Sequence, residues 1–528
     1  MPVPNVQLKR ERQIRGWSQG YLAEQIDVPD YYISRWERGD VSPSPYYQQR
    51  LCELFGKTAE ELGFLQPVHE TPHSKVLEID EKGPLAKVNP FTYGNPISVP
   101  TRFFGRSREV EQVFSRLRNA EFESSSIVGE RRIGKTSLLK YLAHPVVRQH
   151  YGLDEDKYLF VYMDLQNIDE NTTPARLWQW LLRQTAKCCS DPQAKQMLEA
   201  AYQNQHIDNF AIEDIFDNID KKDMYVVLLF DEFERVTKNP NFNAAFFYGI
   251  RSLAIHHHLS LITSSRSELI ELCHSEIIRS SPFFNIFATI NMGLFRKDEA
   301  LDLTTQSLAG TGINFTDTEI DAIFRLTGYH PYLLQIACYF LFDAYLKNMK
   351  PDERTDYQHK AFREEVRPHL ASCWQISDDH EKTNLIALTV LDRQREANRS
   401  DRSIQKLQDV YVYSHQTLAR LEKRGLAVSR GGSYFLFSES FGEWIWNEIT
   451  DTRHNQHSYE AWLASNAKVT QQLNSVSDTA RKDLSAILSK LNEEYRELVF
   501  HWLIEQRTLS VASKLIKGIL ESDRGLLA

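Results

Sequence analysis

Apolar positions at the start of the chain recur at helical spacing. In "SQGYLAEQIDVPDYYISRWERG", Leu22, Ala23 and Ile26 share one face, and Val28, Ile33 and Trp36 form a facing stripe. Residues 6 to about 65 therefore read as helices joined by short turns. Pro67, Pro72, Pro84, Pro90, Pro96 and Pro100 then interrupt any regular element, so 67–100 reads as a linker. From Thr101 the period changes. The apolar runs "SSIV", "YLFVYMDL", "YVVLLF", "LSLITS" and "FATINM" alternate with helical stretches such as "PARLWQWLLRQTAKCC". That alternation predicts a parallel sheet with helices on both faces. After Phe295 the chain reads as helical through "DEALDLTTQSL", "DTEIDAIFRLT" and "PYLLQIACYFLFDAYL". Between 380 and 448, the helical runs "TNLIALTVL" and "SHQTLARLEKRG" precede "LAVSRGGSYFLFS", two strands around a Gly-Gly turn. Helices followed by a hairpin predict a winged helix. The tail, with "DLSAILSKLNEEYRELVFHWLIE", returns to helical spacing.

Composition narrows this picture. A chain of 528 residues, 42% apolar, has core-forming material for several domains. The net charge of -9 means that contact with nucleic acid must come from a local patch. The six cysteines show neither Cys-x-x-Cys nor zinc spacing, and read as free thiols of a reducing compartment. "MPVPNVQLKRERQ" lacks the apolar stretch of a signal peptide, and no run approaches a membrane span. The expected location is the cytoplasm. "IHHH" at 255–258 has no acidic or cysteine companions close in sequence and reads as a helix end.

The chemistry-bearing motif is "GERRIGKTS". It fits Gly-x4-Gly-Lys-Ser/Thr at Gly129, Gly134, Lys135 and Thr136, followed by Ser137. Glycines let backbone N–H groups curl around phosphate oxygens. The Lys135 ammonium reaches the β- and γ-phosphates, and the Thr136 hydroxyl ligates Mg²⁺. The helix that follows turns its positive end toward the anion. "YVVLLFDEFERV" is an apolar strand ending in Asp231 and Glu232. Asp231 suits Mg²⁺, and Glu232 suits a base that polarises the attacking water. The fourth run ends "ITSSRSEL", which would bring Ser265 or Arg266 to the γ-phosphate at the carboxyl edge of the sheet. The expected catalytic set is Lys135, Glu232 and Arg266, with ATP or ADP and Mg²⁺ as cofactors.

In order along the chain, "RFFGRSREVEQVFSRL", the glycine loop, "LLFDEFERV", "ITSSRSEL", "SSPFFNIFATINMGLF" and "GYHPYLLQIACYFLF" resemble STAND-class P-loop ATPases, relatives of AAA+ and NLR-type switches. The resemblance covers 101 to about 448. It implies that Phe104, Gly105 and Arg106 line an adenine pocket and that Pro331 packs on the base from a helical lid. It also implies a slow ATPase acting as a switch, closed with ADP and self-associating with ATP. Many members carry a nucleotide-sensing histidine near the end of the winged helix. "YFLFSESFGEW" has none, which leaves His330 as a substitute or as a structural residue.

"LKRERQIRGWSQGYLAEQIDVPDYYISRWERGDVSPS" resembles the Cro/C1-type (XRE) helix-turn-helix family. The second helix would enter a major groove with Tyr31, Ser34, Arg35 and Arg38, and Gln19 would open the first helix beside a phosphate or base edge. Charge over residues 1–66 is near balance, with eight Lys and Arg against nine Asp and Glu. Lys9, Arg10, Arg12 and Arg15 cluster early and suggest a phosphate-facing edge.

The expected organisation is an all-α helix-turn-helix (1–66), a proline-rich linker (67–100), an α/β P-loop NTPase core (101–295), a helical lid (296–379), a winged helix (380–450) and an all-α tail (451–528). Two readings of the tail stand side by side: a bundle packed on the rest, or an adaptor for a protein partner. Two readings of function also stand. One is a regulator in which nucleotide state sets self-association and occupancy of double-stranded DNA. The other is a signal-sensing ATPase that assembles an effector, its helix-turn-helix autoregulatory or protein-binding.

Overall fold

The computed structural model describes residues 5–26, 30–38, 43, 45–58, 61–64, 89–204, 207–274, 276–279, 282–397, 415–504 and 516. It divides into two compact units, Met1–Leu85 and Ala86–Ala528.

The first unit contains α1 (Val6–Ile14), α2 (Gln19–Gln25), α3 (Asp30–Arg38) and α4 (Pro45–Phe55). Ser18 caps α2 by accepting from the Tyr21 N–H at 3.0 Å. The core joins Leu22, Ala23, Ile26, Ile33 and Trp36 to Leu8, Leu51, Phe55 and Leu62, so the two stripes read from the sequence do face each other. Val28 lies outside the described residues, as do residues 67–88 of the expected linker.

The early basic cluster needs correction. Only Lys9 and Arg10 are exposed. Arg12 is buried and forms a two-pronged pair with Glu37, at 2.5 Å from Nε and 2.9 Å from Nη2. Arg15 donates to the Phe55 carbonyl at 2.7 Å and lies over the Phe55 ring. Both guanidinium groups join helices of the unit to one another; Arg12 is buried and must find acceptors inside the protein, while Arg15 is half-buried.

The second unit is built on β1 (Ser124–Val128), β2 (Tyr158–Asp164), β3 (Tyr225–Asp231), β4 (Leu259–Ser265) and β5 (Phe287–Asn291). They form one sheet, order β2-β3-β4-β1-β5, with every pairing parallel. Helices pack on both faces around two separate cores, as period and composition predicted. All five strands match the apolar runs read from the sequence. The "IHHH" stretch does end a helix, Ala244–His256. Its acidic companions come from elsewhere in the chain: the His257 ring lies 2.7 Å from Asp220 and 3.8 Å from Asp217.

Residues 89–100, expected as the end of a linker, are anchored at particular residues, although six of the twelve are exposed. Phe91 is fully buried between Phe315 and Phe342. The Asn89 amide donates to the Tyr339 carbonyl at 3.0 Å, and the Thr92 N–H to Gln335 at 3.1 Å. Prolines excluded regular structure there but did not exclude burial of the aromatic residues between them. Phe91→Ala should cost about 3–5 kcal/mol by opening a cavity in this core. Thermal unfolding of the full chain checks it; an unchanged transition would show that the segment is not held.

Beyond β5, helices Lys297–Gln306, Asp317–Thr327 and Pro331–Leu346 follow the predicted runs. The long helix Pro351–Gln375 had no counterpart in the sequence reading. Its buried residues Phe362, Val366, Leu370, Cys373 and Trp374 make a narrow stripe in an otherwise polar run, so its pattern is weak. Helices Asp379–Ala397 and His415–Lys423, then β6 (Ala427–Arg430) and β7 (Ser433–Leu436), build the expected helices and hairpin. Residues 398–414 lie outside the described residues. The tail packs on the lid and winged helix in one continuous core. Arg496 is buried there against Tyr459 and Trp462, with its Nε donating to the Leu488 carbonyl at 3.1 Å.

Candidate nucleotide-binding site

β1 leads into the glycine loop, and α6 (Lys135–Ala143, after α5, Ser107–Leu117) leads out of it. Gly129 is sterically required. A Cβ there would sit 2.7 Å from the Met292 carbonyl oxygen and 3.0 Å from Ile133. Gly134 has φ 103°, in the region that favours glycine. Lys135 is buried and donates to the carbonyls of Gly129 at 2.8 Å and Glu130 at 3.1 Å. Burial pushes its pKa down, against the pull of Glu232, Glu234 and Asp231.

The sheet order explains how distant motifs meet. β4 lies between β1 and β3, so the ends of all three open on one edge, where ligands of such sheets bind. Asp231 is buried at the end of β3. It accepts from the Ser264 hydroxyl of β4 and from the Tyr162 hydroxyl of β2 at 3.1 Å. Burial, then Asp231, raises the Tyr162 hydroxyl well above the usual phenol range, so it stays a donor. Glu232 has φ 56°, a left-handed conformation uncommon outside glycine, and its N–H donates to Ser264 at 3.3 Å.

That turn starts the short helix Glu234–Thr237 and makes Glu234 part of the site, which the sequence reading missed. Both Glu234 carboxylate oxygens are buried with no hydrogen-bond partner, and Arg266 Nε lies 3.8 Å from one of them. Burial, then the charge of Glu232, raises the Glu234 pKa. Arg266 is thus placed at the carboxyl edge, facing Glu234. Ser265 instead donates to the Ser267 carbonyl at 2.7 Å. Asp164, in register with Asp231, also has a raised pKa from burial. The signal for Glu234, Tyr162 and Asp164 was their position at or beyond the ends of apolar strands.

Thr136 is half-buried at the start of α6. Ser137 accepts from the Ile97 N–H at 3.0 Å, which ties the 89–100 segment to the loop. Phe104 packs against the lid core. Gly105 has φ 71° and sits against Glu299 and Phe295. The buried Arg106 side chain pairs with Glu109 at 3.1 Å through Nη1. It donates to the carbonyls of Gly293 at 2.6 Å and Ile133 at 3.2 Å and lies over Phe295. A buried guanidinium satisfies itself on carbonyls, so Arg106 joins the loop to the lid. Pro331 is buried at the first position of its helix. His330 beside it is buried near His369 and Phe437, and burial drives its pKa well below the usual value.

In the first unit, Ser34 and Arg35 on α3 are half-buried and Arg38 is exposed, with Arg38 Nη1 donating to Ser34 at 3.1 Å. The Tyr31 side chain lies outside the described residues. The Gln19 amide donates to Glu37 at 2.8 Å and so belongs to the Arg12–Glu37 network.

Family models match three parts of the chain: "Helix-turn-helix" over residues 8–62, "AAA domain" over 123–272 and "Novel STAND NTPase 2" over 216–390. The chain carries a helix-turn-helix and a STAND-type P-loop ATPase domain. The AAA match spans β1 through β4, including the glycine loop and the Asp231–Glu232 turn, and the STAND match begins before β3 and overlaps it from residue 216. No curated protein matches the sequence. Among solved structures, a Walker-type ATPase of Pyrococcus abyssi is 15% identical, with 66% of this chain and 98% of that chain covered and a TM-score of 0.41. The Aeropyrum pernix ORC2 protein is 14% identical, covering 65% and 95%, with a TM-score of 0.42. The Aeropyrum pernix ORC1 protein in complex with DNA is 12% identical, covering 66% and 93%, with a TM-score of 0.35. Among the described residues, no helix is long and apolar enough to cross a membrane.

Proposed function

We propose that the protein is a nucleotide-controlled DNA-binding regulator. The observation that carries this reading is the pairing, in one chain, of a separately folded helix-turn-helix with an ATPase edge that gathers Lys135, Asp231, Glu232 and Arg266.

The site's donor set fits a magnesium nucleotide. Gly134 lets the loop turn at φ 103°, Lys135 is a buried cation, and Asp231 keeps acceptor capacity beyond its two hydroxyl donors. Thr136 and Asp231 would hold Mg²⁺, and the ion would supply charge neutralisation at the phosphates. Lys135 would exchange its two carbonyl acceptors for phosphate oxygens. Glu232 would orient and deprotonate the attacking water. Arg266 would leave Glu234 for the γ-phosphate, so Glu234 would hold the arginine ready between turnovers. Hydrolysis would be slow and would reset the switch.

The ATP-bound form would self-associate. One helix-turn-helix binds weakly, but two copies delivered to half-sites about 34 Å apart gain effective concentration without a new contact. Gln19, Tyr31, Ser34, Arg35 and Arg38 would face the DNA, and the tail would serve a protein partner. Selective capture tests the reading. The protein is mixed with sheared genomic DNA in ADP or in a slowly hydrolysed ATP analogue, and retained fragments are sequenced. Symmetric sites enriched in one nucleotide state are expected. Equal retention in both states would uncouple the modules. No selective retention would favour the effector-assembling reading.

A further inference from the structure

A side chain of the winged helix, Arg424, reaches the nucleotide loop. Arg424 follows helix His415–Lys423, and the next residue, Gly425, has φ 73° and lies against Leu294 just beyond β5. Arg424 Nε bonds Glu130 Oε1 at 2.6 Å. Its Nη1 bonds Ser377 at 3.1 Å and also Glu381. The three charged side chains are 17%, 11% and 5% exposed for Arg424, Glu130 and Glu381, so solvent screens the contact little. Arg424 Nη2 is buried with no partner. A neighbouring tether, Lys423 to Glu268, fastens the same turn to the loop after β4.

Glu130 is the second residue of the glycine loop, and its carbonyl is one of the two that hold Lys135. Arg424 and Lys135 therefore grip the same residue, one by its carboxylate and one by its backbone. Phosphate must draw Lys135 off that carbonyl. A carboxylate left unpaired at this point would oppose an incoming polyphosphate, and Arg424 neutralises it.

We infer that Arg424 is a positioning residue for the nucleotide site. Paired with Glu130, it makes phosphate binding and the seating of the winged helix one coupled event. The inference rests on the reading of the loop as a nucleotide site. Because coupling is reciprocal, nucleotide must strengthen the Arg424–Glu130 contact by the factor that the contact strengthens nucleotide binding.

The test measures ADP affinity of the full-length protein by titration with a fluorescent ADP. Arg424→Gln is expected to weaken ADP by about fivefold or more. Adding Glu130→Gln to it should restore affinity, since no unpaired carboxylate remains. Glu268→Gln, which breaks only the neighbouring tether, should leave affinity unchanged. Thermal melts confirm that each variant folds; if Arg424→Gln does not, Arg424→Lys is used, with partial weakening expected. The inference is overturned if Arg424→Gln binds ADP like the parent, if the double variant fails to recover, or if Glu268→Gln weakens binding as much. Lys135→Ala separates the two levels. Loss of ADP binding there, with no effect at Arg424, refutes the coupling alone, whereas retained binding refutes the site itself.

Discussion

Glu232→Gln is expected to leave ATP bound and to lower its hydrolysis by about 10²- to 10⁴-fold, the usual contribution of a positioned general base. The geometry sharpens the expectation. Glu232 is fixed by a left-handed turn and by its N–H bond to Ser264, so the neutral amide should occupy the same place without accepting a proton. Lys135→Ala should instead lose binding, because the buried ammonium is the cation of the loop. Single-turnover hydrolysis together with equilibrium nucleotide binding distinguishes the two variants. Hydrolysis by Glu232→Gln at the parent rate would pass the base role to another carboxylate, with Glu234, which feels the charge of Glu232, the first candidate. Glu234 is already engaged in the resting site, since Arg266 Nε lies 3.8 Å from its carboxylate.

Arg12→Ala should unfold the helix-turn-helix and abolish DNA binding. Removing one partner of a buried ion pair leaves the other charge stranded, at a cost of about 3–5 kcal/mol. Here the stranded group would be Glu37, 4% exposed, with only the Gln19 amide left to satisfy it. That cost is a large fraction of what a domain of this size has in reserve. Limited proteolysis and DNA binding by the full-length protein check the outcome. If DNA affinity persists, the network is a surface detail. Arg38→Ala makes the contrast: Arg38 is exposed on α3, so its loss should weaken DNA binding without unfolding the unit.

The strands and most lid helices were legible because their patterns are strong and local. A run such as "YVVLLF" suits a strand covered on both faces, and the structure buries all of it except the half-buried Tyr225. The glycine loop was legible because its Gly-x4-Gly-Lys-Ser/Thr spacing lies within one short stretch, whereas the Met292 carbonyl that excludes a side chain at Gly129 is met only in the fold. Helix Pro351–Gln375 was not legible, because a narrow stripe in a polar run gives little signal. Arg12 and Arg15 were misread as a phosphate-facing edge, since sequence records that they are charged and not where their partners lie.

The sequence by itself determined the classes of domain, their order and the loop chemistry at Gly129, Gly134, Lys135 and Asp231. Each depends on residues close together in the chain. Tertiary structure alone decided what met across long separations. Strand order set β4 between β1 and β3 and so brought Ser264 to Asp231 and Arg266 to Glu234. Packing seated Phe91 in the lid and turned Arg106 onto backbone carbonyls. It also carried Arg424 across nearly three hundred positions to Glu130. A charged side chain removed from water must find an opposite charge or an acceptor, and which one it finds is fixed only when the chain has folded.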